Sequence, residues 1–191
     1  MLAYIVFLGA AVQLIGSILY IKETIYGNTK PNQVTWLMWA VAPLIATSAA
    51  LTKGVGWAVL PVFAAGLGPL LIFIFSLFNK KAYWKLELFD YICGVFSILA
   101  LLLWWITQEA LIAIIFALVA DAFAALPTYK KAFTNPETES EIAYITGLFN
   151  ALTSFFALVA FSFAELAFPI YLVVLDASLT IIIYRGKRKK V

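Results

Sequence analysis

Four polar side chains lie deep inside long apolar runs of the sequence: Gln13, Asp121, Asn150 and Asp176. If the runs are helices rising about 1.5 Å per residue, each side chain lies roughly 15 to 18 Å from the same end of the molecule. Polar and ionisable groups inside such runs are costly, and they usually face a cavity or one another. The four residues therefore predict one polar layer near the middle of the molecule.

The two carboxylates determine what chemistry this layer could perform. No Lys or Arg lies at that level to neutralise Asp121 and Asp176. A carboxylate without a nearby cation either holds a proton or attracts a positive ligand. We expect the two residues to exchange protons or to hold a cationic substrate. The alternative is that both are structural groups, protonated and bonded to neighbouring helices.

Two tryptophans and a glycine-rich stretch are further candidates. Trp36 and Trp39 lie three residues apart, on one face of a helix. Trp39 is the deeper and is predicted to stack on a ring-shaped substrate, whereas Trp36 is predicted to belong to the aromatic belt at a membrane surface. Gly66 and Gly68, followed by Pro69, predict close helix packing or a backbone break that lines a cavity.

The composition indicates that lipid surrounds these residues. Of 191 residues, 64% are hydrophobic and 12% are charged, whereas soluble domains carry about 25% charged residues. The chain has no His and only one cysteine, Cys93, so a disulfide within the chain and the usual zinc, copper and haem sites are not expected. No cofactor is predicted.

The breaks between apolar runs predict an all-α integral membrane protein with seven transmembrane helices. Each run is close to the roughly 20 residues that a helix needs to cross the hydrocarbon core. The first run lacks a basic start and a clear cleavage site, so it is predicted to be a retained helix and not a signal peptide. The predicted spans are 2–21, 34–52, 56–78, 88–106, 110–128, 142–163 and 166–184.

The distribution of basic residues predicts the orientation. Of the 13 basic residues, 12 fall on one side of the seven predicted spans, and only Lys53 falls on the other. Because basic loops stay in the cytoplasm, the N-terminus is expected outside and the C-terminus in the cytoplasm. The location predicted is the cell (plasma or inner) membrane.

An offset of 108 residues relates the first three spans to the last three. It places Trp36 on Tyr144 and Pro61 on Pro169, and it aligns the basic segments that follow the spans. The predicted plan is a first triple-helix repeat (1–79), a linker helix (80–108), a second repeat (109–185) and a basic tail (186–191). An odd number of intervening spans gives both repeats the same orientation.

The segment Leu126–Lys131, which reads LPTYKK, is followed by a polar stretch at Thr138–Ser140. Together with the 3+1+3 plan, it resembles the SWEET and PQ-loop transporter superfamily. The repeats of that superfamily end a first helix with Pro-Gln, a basic and aromatic stretch and a Ser/Thr-rich turn. Here Thr128 replaces the Gln, and Leu19-Tyr20 stands at the corresponding place in the first repeat.

The resemblance implies both a fold and a set of roles. Prolines act as hinges in that superfamily, and Pro43 and Pro127 are the positions that match. Its sugar-binding Asn and Trp residues lie midway along the helices, where Asn150 and Trp39 are comparable. The implied activity is transport of a sugar, an amino acid or a similar metabolite.

We therefore expect a membrane transporter of a small polar solute that works by alternating access, with proton coupling through Asp121 and Asp176. The alternative is a non-transporting seven-helix receptor or scaffold of the same fold. An enzyme is not predicted because the chain lacks His, although an aspartate mechanism stays open. The expected partners are the lipid bilayer, the solute, and a proton or cation. Nucleic acid is not expected, and a homo-oligomer is left open.

Two expectations concern the loops. Asp90 is predicted to be satisfied by Lys85, and the acidic segment 135–141 is predicted to cap the sixth helix, since carboxylates suit a helix N-terminus.

Overall fold

The structure is a computed structural model that describes residues 4–52, 60–79, 82–107, 110–158 and 161–189. Within these ranges the chain forms seven α-helices and no β-strand, which confirms the predicted all-helical class. The helices are α1 (Ile5–Tyr26), α2 (Gln33–Thr52), α3 (Leu60–Phe78), α4 (Leu88–Ile106), α5 (Ala110–Thr134), α6 (Ile142–Ser154) and α7 (Phe163–Lys189).

Two of these helices are long and apolar enough to cross a membrane. They are α1 and the Leu166–Lys189 part of α7. Three further segments are apolar but shorter: Val62–Phe78, Leu88–Leu103 and Ile142–Ser154. A crossing by all seven helices stays a prediction, as does the orientation. Lys53, on which the orientation partly depends, lies outside the described residues.

The helix ends differ from the ends of the apolar runs. α4 matches its predicted span, but α5 and α7 continue to Thr134 and Lys189. The length of an apolar run reflects how much of a helix would contact hydrocarbon. The helix itself continues for as long as its backbone N–H and C=O groups form hydrogen bonds with one another. Basic residues also suit the last turn of α7 because they complement the helix dipole. α1 ends where Gly27 adopts a left-handed conformation (φ 82°) that its neighbours could not adopt cheaply.

The sixth predicted span is shorter as an α-helix than expected. α6 ends at Ser154 and continues as a 3-10 turn over Phe155–Ala157. A second 3-10 turn, Pro136–Thr138, lies between α5 and α6. This second turn brings the acidic segment back toward the helix bundle.

The helices pack in the same order in each half of the chain. α3 packs against both α1 and α2, and α7 packs against both α5 and α6. The two groups meet where α1 contacts α6 and where α2 contacts α5. α4 lies against α5 and also touches α2.

Glycines allow the helices of the first group to approach closely. A Cβ at Gly66 would lie 2.8 Å from Leu44 Cγ on α2, and one at Gly68 would collide with the Ser17 hydroxyl on α1. Real Cβ atoms do not tolerate such distances. The predicted role of Gly66 and Gly68 in close helix packing is confirmed.

Asp90 is satisfied in a different way from the one predicted. Its Oδ2 accepts a hydrogen bond from the backbone N–H of Glu87 (2.6 Å), and its Oδ1 accepts one from Asn32 Nδ2 (3.1 Å). The first bond belongs to a capping box that starts α4. The expected partnership with Lys85 is therefore wrong: Asp90 is buried and ties the start of α4 to the start of α2.

Candidate functional site

A cavity of about 470 Å³ lies between the two groups of helices. Its lining brings together all five residues predicted to bind substrate or couple protons. They are Gln13, Trp39, Asp121, Asn150 and Asp176. The rest of the lining is mostly apolar and includes Leu101, the contribution of α4. One site therefore collects side chains from α1, α2, α5, α6 and α7.

The two hinge candidates lie apart. Pro43 is inside α2 and lines the cavity. Pro127 is inside α5, where it lines a smaller, separate pocket of about 210 Å³ beside Glu87 and Lys130. Each proline removes one backbone hydrogen bond from its helix, so each is a point where the helix can bend.

A hydrogen bond between two of the predicted residues joins the two halves. Asn150 Nδ2 on α6 donates to Gln13 Oε1 on α1 at 2.5 Å. The remaining Asn150 oxygen faces Gly9, whose added Cβ would lie only 2.7 Å away. The pair therefore fixes the α1–α6 contact at the level of the cavity.

Asp121 is held from two directions. Tyr171 on α7 donates its hydroxyl proton to Asp121 Oδ2 at 2.7 Å. Trp39 on α2 donates its indole N–H to the Asp121 backbone oxygen at 3.4 Å. The carboxylate of α5 is thus oriented by a neighbouring helix.

Asp176 has a different environment. Its side chain is 9% exposed and lines the cavity. Among the described residues, it has no hydrogen-bond or ion-pair partner. It packs against α6 at Gly147, where an added Cβ would lie 2.6 Å from Asp176 Oδ2. The Asp176 carboxylate thus occupies space that a side chain at position 147 would fill.

Four rings form an aromatic layer, by which we mean Tyr20, Trp36, Trp39 and Tyr144. The centroid distances are 4.9 Å for Tyr20–Trp36, 5.4 Å for Trp36–Trp39 and 6.2 Å for Trp36–Tyr144. Trp36 is only 3% exposed. A belt residue faces the membrane surface, so the predicted belt role of Trp36 is wrong: its ring lies inside the protein and lines the cavity.

A buried ion pair lies next to the aromatic layer. Lys131 Nζ is 2.8 Å from Glu139 Oε1, and both side chains are fully buried. Glu139 Oε2 also accepts hydrogen bonds from Tyr20 (2.7 Å) and Tyr144 (3.3 Å). The layer and the ion pair therefore form one connected network.

The lysine of this pair has further partners. Lys131 Nζ donates to the backbone oxygens of Lys30 and Thr138, and it lies 4.9 Å from the centroid of the Trp84 ring. Burial lowers the pKa of Lys131, and the negative charge of Glu139 opposes that shift. Lys131 thus links α5 to the two loops that contain Lys30 and Thr138.

This network was missed by sequence reasoning. Lys131 belongs to the segment LPTYKK and Glu139 to the acidic segment 135–141, and no contact between the two was predicted. The capping prediction is wrong for Glu139, which is buried in the network. Glu141 does occupy the N-cap position of α6, but its side chain makes no cap hydrogen bond and pairs with Lys187 at 2.5 Å. One signal was available in the sequence. Lys131 lies on the same helix as the cavity residue Asp121, eight residues before Glu139.

The chemistry of the cavity is acidic and aromatic. Its lining contains two carboxylates and, among the described residues, no Lys or Arg. No protein-family model matches this sequence, and no curated protein or solved structure matches it. The resemblance to the SWEET and PQ-loop superfamily therefore stays a prediction.

Proposed function

We propose that this protein is an integral membrane transporter of a small solute, of the SWEET and PQ-loop kind, which works by alternating access. The observation that carries the proposal is the single cavity on which Gln13, Trp39, Asp121, Asn150 and Asp176 converge. Repeat-built transporters bind substrate at the interface between repeats, near the membrane midplane.

The exposed surface supports a lipid environment. Large apolar side chains are exposed along α4: Val95 at 56%, Leu102 at 47%, Leu103 at 46% and Trp105 at 72%. A soluble monomer rarely exposes a contiguous apolar surface of this kind. The apolar character of α1 and α7 supports the same conclusion.

The packing order supports the 3+1+3 plan. α3 lies between α1 and α2, as α7 lies between α5 and α6. The offset of 108 also relates residues of the cavity lining, since it places Gln13 on Asp121 and Trp36 on Tyr144. Two bundles of like orientation around a shared cavity are an arrangement suited to rocking.

The aromatic layer and the buried ion pair would form the closed gate of such a transporter. Trp36 and Tyr144 line the cavity from the first turns of α2 and α6, at one end of the bundle, and Glu139 accepts a hydrogen bond from the Tyr144 hydroxyl. The predicted orientation makes this the cytoplasmic end. Opening that end requires the Trp36 ring on α2 to move away from the Tyr144 ring on α6, and the two ring centroids lie 6.2 Å apart in this structure.

The test is whether water and solute reach the cavity. In a Cys93→Ser background, Ala117→Cys introduces a thiol into the cavity lining. Val95→Cys is the matched control, because that side chain is exposed on the outer face of α4. A charged methanethiosulfonate reagent should modify the Ala117→Cys protein, since thiolates form only in contact with water, and should leave the Val95→Cys protein unmodified.

Proteoliposome uptake of sugars, amino acids and amines completes the test. Labelling of the cavity thiol together with uptake supports the transporter. An unreactive cavity thiol and no uptake contradict it. That result would favour the seven-helix receptor or scaffold, for which the internal Gln13–Asn150 and Asp121–Tyr171 bonds already provide a structural reason.

A further inference from the structure

We propose that the cavity takes a small organic cation, a primary ammonium carried on an aromatic or apolar body, and that Asp176 is the residue that binds the ammonium group. This inference rests on the proposed function, since it names the substrate class of the same site. It selects one class from the sugars, amino acids and other metabolites that the sequence left open.

The charge of the lining is the first argument. Asp121 and Asp176 both line the cavity, and no cationic side chain of the described residues does so. An isolated carboxylate inside a protein is costly unless a positive group is close to it. A bound ammonium supplies the missing partner.

The second argument separates the two carboxylates. Asp121 already accepts a hydrogen bond from Tyr171 at 2.7 Å. Asp176 has no such bond among the described residues, yet it is 9% exposed and lines the cavity. The residue with open acceptor positions is therefore Asp176, and Gly147 provides the space in which its carboxylate lies.

The third argument concerns hydrogen-bond donors. Three donors of the lining are already engaged within the protein: Trp39 to the Asp121 backbone, Ser17 to the Gln13 backbone and Tyr144 to Glu139. A carboxylate ligand needs free donors, and a sugar needs both donors and acceptors. An ammonium has three donors and no acceptor, so it matches the open acceptor of the lining, the Asp176 carboxylate.

The aromatic rings supply the rest of the ligand's surroundings. Trp36, Trp39 and Tyr144 line the same cavity as Asp176. Ring faces attract cations, most strongly at Trp, and the ring edges and methylenes of a ligand can pack against them. A volume of about 470 Å³ is within the range of small-molecule sites.

The experiment uses four probes of similar size and different charge. Isothermal titration calorimetry on the full chain in nanodiscs would compare 2-phenylethylammonium, 2-phenylethanol, phenylacetate and glucose. At about pH 7.5 the amine is protonated. We expect the cation to bind at least about tenfold more tightly than the other three, because a charge-assisted hydrogen bond is worth that much or more.

Variants locate the binding group. Asp176→Asn should weaken binding of 2-phenylethylammonium about tenfold or more and leave 2-phenylethanol unchanged. Glu87→Gln, the same chemical change at a carboxylate outside the cavity, should leave all four affinities unchanged. Gly147→Ala keeps the charge but displaces the Asp176 carboxylate, so it should also weaken the cation selectively. If Asp176→Asn does not give monodisperse protein, Gly147→Ala decides the question.

The remaining outcomes overturn the inference. Equal binding of the cation and 2-phenylethanol, or an Asp176→Asn protein that keeps full cation affinity, removes the proposed role of Asp176. Preferential binding of glucose or phenylacetate refutes the cation but leaves the transporter standing. If none of the four probes binds, the inference fails, and labelling of the Ala117→Cys thiol shows whether the transporter fails with it.

Discussion

The rings of Trp36 and Tyr144 lie 6.2 Å apart, and the two residues are 108 positions apart in the chain. They come from α2 and α6, which occupy corresponding places in the two groups of helices. Both rings line the cavity, and neither is more than 3% exposed. The two groups of helices thus meet through a pair of aromatic residues in the lining of the candidate site.

The tyrosine hydroxyls of this layer should contribute to stability. Tyr20→Phe removes a hydrogen bond to the buried Glu139 carboxylate, so it should lower the unfolding free energy by about 1 to 3 kcal/mol. Tyr26→Phe, on the same helix, is the control because Tyr26 is 65% exposed. Thermal unfolding in detergent measures both. Equal melting temperatures for the two variants would contradict the assigned role of Tyr20.

The buried ion pair should be sensitive to loss of one partner. Glu139→Gln leaves the Lys131 ammonium buried without a counter-charge, which should cost about 3 to 5 kcal/mol. Replacing both residues with apolar ones of similar size should recover much of this loss. Denaturant unfolding measures the difference. A double variant no more stable than Glu139→Gln would mean that the hydrogen bonds from Tyr20 and Tyr144 to Glu139, and not the charge pairing alone, determine the stability.

The contact between α1 and α6 should not tolerate added bulk. A Cβ at Gly16 would collide with the Thr146 hydroxyl, so Gly16→Ala should destabilise the protein by about 1 to 3 kcal/mol. Thr146→Ala removes the hydroxyl and the methyl group but leaves the Cβ of residue 146 at 2.6 Å from the added Cβ, so the double variant should regain only part of the stability. If the double variant is as unstable as Gly16→Ala alone, the collision lies elsewhere.

The exposed pair of Lys130 and Glu87 should show its effect in acid. The hydrogen bond from Lys130, at 2.6 Å, lowers the pKa of the Glu87 carboxyl. Because the folded-state pKa lies below that of the unfolded chain, the contribution to stability is present above the ordinary glutamate pKa. It is lost as the pH falls through the folded-state value.

Melting temperatures measured against pH test this pair. The wild-type protein should lose more stability on acidification than Glu87→Gln does. The difference should be small and should shrink with added salt, because both side chains are exposed. Identical pH dependence at low salt would show that the pair contributes nothing.

The helices and the position of the cavity residues could be predicted for the same reason. Apolar runs of about 20 residues specify helices, and a fixed rise per residue gives depth. Depth alone placed Gln13, Asp121, Asn150 and Asp176 at one level, and the structure places them around one cavity. Which residue bonds to which could not be predicted, because partners depend on how each helix is rotated.

The wrong predictions have a shared physical origin. Trp36, Asp90 and Glu139 were each assigned the role usual for their residue type near a membrane surface or a helix end. Asp90 is instead buried against Asn32, 58 positions away, and Glu139 against Tyr20, 119 positions away. Trp36 packs between Tyr20 and Tyr144. Partners as far apart as Asn32 from Asp90 or Tyr20 from Glu139 leave no local pattern in the sequence.

The glycines of α1 have a consequence for how the two halves can move. Gly9 and Gly16 bring α1 against α6 so closely that no side chain fits between the helices. The opposite edge, where α2 meets α5, is covered by α4, which also lends Leu101 to the cavity wall. If the halves move, the α1–α6 contact is the axis about which they rotate, and α2 separates from α5 on the side that α4 covers.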